Sequence, residues 1–231
     1  MRETNHAIFN YSENDSNLIN ELSNYLTDDN INKIYNFFDK NLEKEKPIIN
    51  IYETKEEFDN VYKKIYDLKS DYDVPNWLVG FADPITMQIY YLSLNDYKNT
   101  SHAFKEEDYA EKLDYFKKTI LHEYVHFVHY LFCIKYKCDL PSKYLTEGIA
   151  QYLSRQVDDN KLSFNYRLDE IIGSNDNYKA FYILTKYLID NYSHEFVLEL
   201  IKAKENSVKY LMEVLFDEVK NYYNEEKNKM K

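Results

Sequence analysis

Two histidines and a glutamate lie within five consecutive positions, in the string His122-Glu123-Tyr124-Val125-His126. On a helix, positions i and i+4 project from one face, so His122 and His126 can present imidazole nitrogens to a single Zn²⁺ ion. Glu123 lies one step round the helix and can act as a general base on water that the zinc activates. This short string therefore predicts a metallohydrolase site.

A catalytic zinc needs a third protein ligand as well as an open position for water. Glu147, in the segment Tyr144–Tyr152, is the strongest candidate, because a second helix that reverses after a proline turn can bring it beside the histidines. His129 shares their helical face, but three ligands on one straight helix would spread over about 10 Å. His129 is therefore expected to support the ligands or to pack. Gln151, one turn beyond Glu147, is predicted to orient a ligand.

The string at His122–His126, followed by Glu147-Gly148-Ile149-Ala150-Gln151-Tyr152, resembles the gluzincin metallopeptidases, the group of thermolysin, zinc aminopeptidases and bacterial collagenases. Within this group, the motif sequence is most similar to that of the collagenase-like and aminopeptidase-like branch. The resemblance implies a zincin fold, a peptide or protein substrate, and an edge strand that pairs with the extended substrate. That strand would fall on Met87–Leu94.

The same resemblance implies a tyrosine or histidine that donates a hydrogen bond to the oxyanion of the tetrahedral intermediate. Tyr178 is the best match to the family's tyrosine, with Tyr182 and His194 as alternatives. The longer three-histidine motif is excluded, because it requires glycine at position 129 and histidine at position 132, where this chain has His129 and Phe132.

Two other interpretations of the motif stand beside the peptidase. The histidines could simply pack between helices, since Leu121, Val125, Val128 and Phe132 form an apolar stripe that buries an adjoining face. Alternatively, the chain could be a zinc-stabilised interaction protein without turnover. Glu123 argues against both, because neither a packing interface nor a structural zinc site needs a general base.

Hydrophobic periodicity predicts an α+β domain with a small mixed sheet and a mainly helical C-terminal half. The resemblance implies that this domain is zincin-like, with the motif on its active-site helix. One domain is expected over residues 1–231, with N-terminal helices in 1–46, a sheet-containing part in 47–117, and the active-site helix with further helices in 118–231. The finer expectations are two helices between residues 14 and 46, a strand at 47–52, a capped helix ending near residue 70, strands at 77–82 and 87–94, a helical stretch at 105–135 in two pieces, and loops at 158–163 and 173–177.

The composition of the chain argues against some classes of binding partner. The net charge is −11 and no long basic run occurs, which argues against nucleic acid or an anionic membrane. The sequence has no apolar leader and no apolar stretch long enough to span a bilayer, so a cytoplasmic location is expected.

Cys133 and Cys138 are expected to be reduced thiols. With 25 tyrosines, much of the core must be tyrosine. The oligomeric state stays open.

Overall fold

The computed structural model of the chain describes residues 1–101, 108–139, 143–157 and 178–203, and positions 215, 218–219, 221–222 and 224–225. The chain forms two compact units. The first comprises Met1–Asn36 and Glu43–Phe127, and the second comprises Phe37–Leu42 and Val128–Lys231. Within the described ranges, every helix lacks either the length or the apolarity that crossing a bilayer requires.

A five-stranded mixed sheet lies in the first unit, and it confirms the α+β class. The strand order is β1-β2-β3-β5-β4, with parallel pairing of β2 to β3 and of β3 to β5, and antiparallel pairing at both ends. Two of the strands lie within residues 1–46, where only helices are predicted, because runs of two and three residues are too short to show alternation. The strands are β1 (Arg2–Glu3), β2 (Ile8–Asn10), β3 (Ile48–Tyr52), β4 (Gly80–Asp83) and β5 (Gln88–Leu92).

The expectation of an edge strand at Met87–Leu94 is wrong. Strand β5 lies between two neighbours, with Tyr90 opposite Asn50 of β3 on one side and Phe81 of β4 on the other. The β4–β5 connection is held by Asp83, whose Oδ2 accepts hydrogen bonds from the backbone N (2.7 Å) and Oγ1 (2.6 Å) of Thr86. The tight hairpin adds β4 outside β5, so β4 is at the end of the strand order.

The helices predicted in the first part of the chain are confirmed, with changed ends. Thr54 and Glu57 form the predicted capping box. That helix ends before residue 70, because Asp67 adopts a φ of 51° and the backbone N of Leu68 bonds to the carbonyl of Lys63. The helices are α1 (Ser16–Tyr25), α2 (Asp28–Phe38) and α3 (Lys55–Ile65), with short 3-10 helices at Glu13–Asp15 and Leu94–Asn99.

Helix α4 is one continuous helix over Tyr109–Tyr136, not two pieces as predicted for residues 105–135. No glycine or proline interrupts this segment, and an i,i+4 ion pair between Asp114 and Lys118 (2.8 Å) crosses its early turns. The five-residue metal motif therefore lies in the middle of a long helix, where the backbone holds i,i+4 side chains in a fixed relation. Helices α2 and α4 contribute residues to both units.

Aromatic side chains fill both faces of the sheet, as the tyrosine content predicts. On one face, the ring of Tyr91 packs edge-on against Phe116 of α4, with centroids 4.9 Å apart. The Tyr91 ring lies across Gly80, where an added Cβ would be 2.1 Å from it. On the other face, Phe81 stacks on Tyr90 at 4.9 Å and meets Tyr62 of α3 at 5.2 Å. Helices α3 and α4 thus cover opposite faces of the sheet.

The described part of the second unit is helical, in agreement with the predicted helical C-terminal half. Its further helices are α5 (Lys143–Ser154), α6 (Tyr178–Asn191) and α7 (His194–Lys202). Helices α5 and α6 approach each other closely at Gly148, where an added Cβ would lie 2.2 Å from Thr185 Oγ1 and 2.5 Å from the carbonyl oxygen of Phe181. The loops predicted at 158–163 and 173–177 lie outside the described residues.

Candidate metal centre

His122 and His126 point their Nε2 atoms at the same place. The two nitrogens are 3.0 Å apart, and the ring planes are nearly perpendicular at 83°. Both side chains are buried, with 5% and 6% of their surface exposed. Two nitrogens bound tetrahedrally to one Zn²⁺ at about 2.05 Å would be about 3.3 Å apart. The helix therefore places two imidazole nitrogens at the spacing that one shared zinc ion requires.

Glu147, on α5, forms with His122 and His126 a group of side chains that could hold a metal ion. One ligand atom from each of His122, His126 and Glu147 lies within 4.8 Å of the others, and Glu147 is half-buried. Two imidazole nitrogens and a carboxylate oxygen are a donor set that zinc takes in hydrolases. Because the set contributes three protein ligands, a tetrahedral ion would keep one position for a small molecule. The residues present therefore fit zinc.

Glu123 is buried beside the histidines, with 7% of its surface exposed, in a neighbourhood rich in tyrosine. Burial raises the pKa of the Tyr66 phenol to about 12, and the carboxylates of Asp83 and Glu123 add to that rise. Burial also raises the pKa of Tyr97 and Tyr115, and the charge of Glu123 contributes to both. The phenols around Glu123 thus remain protonated, and they do not compete with its carboxylate as bases at neutral pH.

His129 packs in the interior and is not part of the three-residue group. It is fully buried, and its ring lies 5.0 Å from that of Phe38 at an interplanar angle of 35°. Gln151 is also buried, and its Nε2 donates a 2.8 Å hydrogen bond to Oε1 of Gln156. The packing alternative expected for His129 agrees with this environment. A role for Gln151 in orienting a ligand stays a prediction.

The three candidates for an oxyanion donor have different surroundings. Tyr178 begins α6, with its ring edge-on to Phe181 (6.0 Å) and Lys143 Nζ above it at 5.6 Å. Tyr182 is buried in a small core cluster and lies 6.3 Å from the ring of Tyr152. His194 is 43% exposed and pairs with Glu195 at 3.1 Å. Tyr178 and His194 are each partly exposed at the first position of a helix, whereas Tyr182 is buried.

The Tyr124 side chain connects the motif helix to the N-terminal segment, and the motif sequence does not predict this contact. Its hydroxyl donates a 3.0 Å hydrogen bond to the backbone carbonyl of His6, and its ring is buried. The His6 imidazole in turn contacts Asp28 at 2.8 Å. These residues lie around a cavity of about 290 Å³ that Tyr35 also lines. Because His6 is 118 positions away from Tyr124, no local pattern could have indicated that the N-terminal segment anchors the motif helix.

Comparison of the chain with protein-family models, with curated protein sequences and with solved structures gave no match. The resemblance to gluzincins therefore rests on the motif residues themselves.

Proposed function

We propose that this chain is a zinc-dependent peptidase, with Zn²⁺ held by His122, His126 and Glu147. The observation that carries the proposal is the convergence of two buried Nε2 atoms, 3.0 Å apart, with a carboxylate from another helix. When bound, zinc polarises a substrate carbonyl and lowers the pKa of coordinated water. Purely packing histidines would have no need of that donor set, nor of a buried acid between them.

Glu123 has the position of a general base in this proposal. It follows His122 directly in the helix, so its carboxylate lies beside the ligands without being one of them. It would take the proton from the attacking water and deliver it to the leaving nitrogen of the cleaved peptide bond. A protein that used zinc only for stability would gain nothing from an acid at this position.

The zincin-like arrangement of the fold belongs to the proposal as well. Helix α4 packs against one face of the sheet through Phe116 and Tyr91, and the sheet ends on the antiparallel strand β4. Backbone pairing with an extended substrate would therefore fall on β4, Gly80–Asp83, and not on the segment first expected.

Tyr178 is proposed as the donor to the oxyanion. The Lys143 ammonium lies over its ring, and Lys143 is one helical turn before Glu147 on the same face of α5. Tyr178 is thereby held near the turn of α5 that carries the third ligand. A phenol in this position can donate a hydrogen bond where negative charge develops during hydrolysis.

The deciding experiment measures zinc content and peptide cleavage together. Purified protein is assayed for bound zinc and screened against a peptide library with and without a chelator. Glu123→Gln is expected to retain one zinc per chain and to lose hydrolysis. Glu111→Gln makes the same change at an exposed position of α4 and should alter neither property.

Two results would overturn the proposal. Activity in Glu123→Gln equal to that of the parent would remove Glu123 from the mechanism. A fully zinc-loaded parent protein that cleaves no peptide would instead favour the zinc-stabilised interaction protein.

A further inference from the structure

The two cysteines of the chain meet at the C-terminal end of α4. Lys137 adopts a φ of 53°, its backbone N bonds to the carbonyl of Ile134 (3.3 Å), and the backbone N of Cys138 bonds to the carbonyl of Cys133 (3.1 Å). This pair of bonds defines a Schellman motif, in which the side chains at the two outer positions are brought into contact. Here both outer positions are cysteine.

The two thiols differ in exposure but share one small region. Cys133 is buried, with 5% of its surface exposed, whereas Cys138 is half-buried. The Sγ of Cys138 lies 3.9 Å from the carbonyl oxygen of Cys133, and the Sγ of Cys133 lies 3.8 Å from that of Asp139. Burial raises the pKa of the Cys133 thiol, and the neighbouring Cys138 thiol raises it further.

The contact that closes a Schellman motif is ordinarily apolar, and two aliphatic side chains would serve that purpose with more buried surface. Two thiols serve it less well, but they can also form a covalent bond. The 3.1 Å backbone hydrogen bond between residues 133 and 138 holds the two backbones close together. A disulfide needs Cα atoms roughly 4.4–6.8 Å apart, a separation that only neighbouring backbones reach.

We propose that Cys133 and Cys138 are a redox-active thiol pair that hydrogen peroxide closes into an intrachain disulfide. The accessible Cys138 sulfur, as thiolate, attacks one peroxide oxygen, breaks the O–O bond and becomes a sulfenic acid, while the other oxygen leaves as water after protonation. The Cys133 sulfur then attacks the Cys138 sulfur, the S–S bond forms, and the S–O bond breaks with loss of a second water. In total the two thiols lose two electrons and two protons, and the peroxide is reduced to two waters.

The difference in exposure assigns the order of the two steps. Peroxide reaches the half-buried Cys138 first, whereas Cys133 is shielded and its thiol gives up its proton reluctantly. Closure by Cys133 is therefore the slower step, and the sulfenic acid of Cys138 accumulates before the disulfide forms. The proposal requires neither zinc nor peptidase activity, so it stands or falls independently of the proposed function.

Peptide mapping tests the proposal directly on the full-length chain. After peroxide treatment, free thiols are alkylated without reduction and the protein is digested with trypsin, which cuts at Lys135 and Lys137 between the cysteines. The expected product is peptide 119–135 joined to peptide 138–143, two hydrogens lighter than the separate peptides and separated again by dithiothreitol. A dimedone adduct should appear on Cys138 at early times and should decline as the linked product grows.

Single serine variants provide the matched controls. Cys133→Ser should abolish the linked peptide and leave a long-lived sulfenic acid on Cys138, whereas Cys138→Ser should leave Cys133 unmodified at the same peroxide dose. The proposal is overturned if oxidised wild-type protein contains no linked peptide while Cys138 carries a stable oxygen adduct. Disulfide-linked dimers in place of the internal bond would also overturn it.

Discussion

Substitution of Gly148 by alanine tests how Glu147, the proposed third zinc ligand, is positioned. Gly148 follows Glu147 on α5, and α6 presses against it from the other side. An alanine Cβ would lie 2.5 Å from the carbonyl oxygen of Phe181 and 2.2 Å from Thr185 Oγ1, whereas ordinary contacts begin at 3.4 Å. Because the carbonyl belongs to a helix backbone, α5 must retreat by about 1 Å to relieve the overlap.

The energetic outcome is a balance between two opposing effects. Overpacking a tight contact costs about 1–3 kcal/mol, whereas replacing glycine by alanine in a helix gains about 1 kcal/mol. Both overlaps are shorter than 3.0 Å and one is with backbone, which places the overpacking cost in the upper part of its range, at about 2–3 kcal/mol. We therefore expect a net loss of about 1–2 kcal/mol, or a fall of about 2–8 °C in Tm for a chain of this size. The retreat also carries Glu147 with it. Since metal–ligand distances tolerate only about 0.2 Å, zinc affinity should fall as well.

Thermal unfolding and zinc titration of the variant measure these two effects separately. Adding Thr185→Ala to the variant removes the hydroxyl overlap but leaves the Phe181 carbonyl, so the double variant should recover only part of the lost Tm. The reasoning is refuted if Gly148→Ala is as stable as the parent, or more stable, and binds zinc equally well. In that case helix propensity would outweigh the close approach of the two helices.

Three further changes test other parts of the site and the fold. Glu147→Ala should lower zinc affinity at least tenfold by removing a ligand. Competition with a chelating dye measures the affinity. If the affinity is undiminished, the third ligand must be His129 or another residue. Tyr178→Phe should reduce kcat by about 10²–10³-fold with zinc content unchanged, and steady-state kinetics that show no loss would assign the oxyanion to another donor. Asp39 accepts a 2.5 Å hydrogen bond from Lys135, which, with the backbone N of residue 41, lowers its pKa to about 2. Because folding lowers the pKa of Asp39 below the ordinary 3.8, the ionised carboxylate stabilises the folded state above about pH 4. This stabilisation is lost as the pH falls toward 2. Asp39→Asn should therefore show a smaller drop in Tm between pH 6 and pH 2.5 than the parent protein.

Local features of the fold could be predicted because they depend on neighbouring residues. The capping box at Thr54 and Glu57 is such a case, since both partners lie within one turn. The hairpin at Asp83 is another, because its hydrogen bonds reach only to residue 86. The continuity of α4 and the strands near the N-terminus escaped prediction. Helix continuity depends on packing along its whole length, whereas the very short strands depend on their partners, β2 on β3 and β1 on β2.

Within the candidate site, the sequence by itself determined the pairing of His122 with His126, because helical geometry places i and i+4 side chains on one face whatever surrounds them. It also singled out Glu147 as the third donor. Only the tertiary structure decided that β5 is an interior strand and that Tyr124 is tied to the carbonyl of His6. These two results depend on contacts between residues far apart in the chain, which are determined by how helices and strands pack together and not by local spacing.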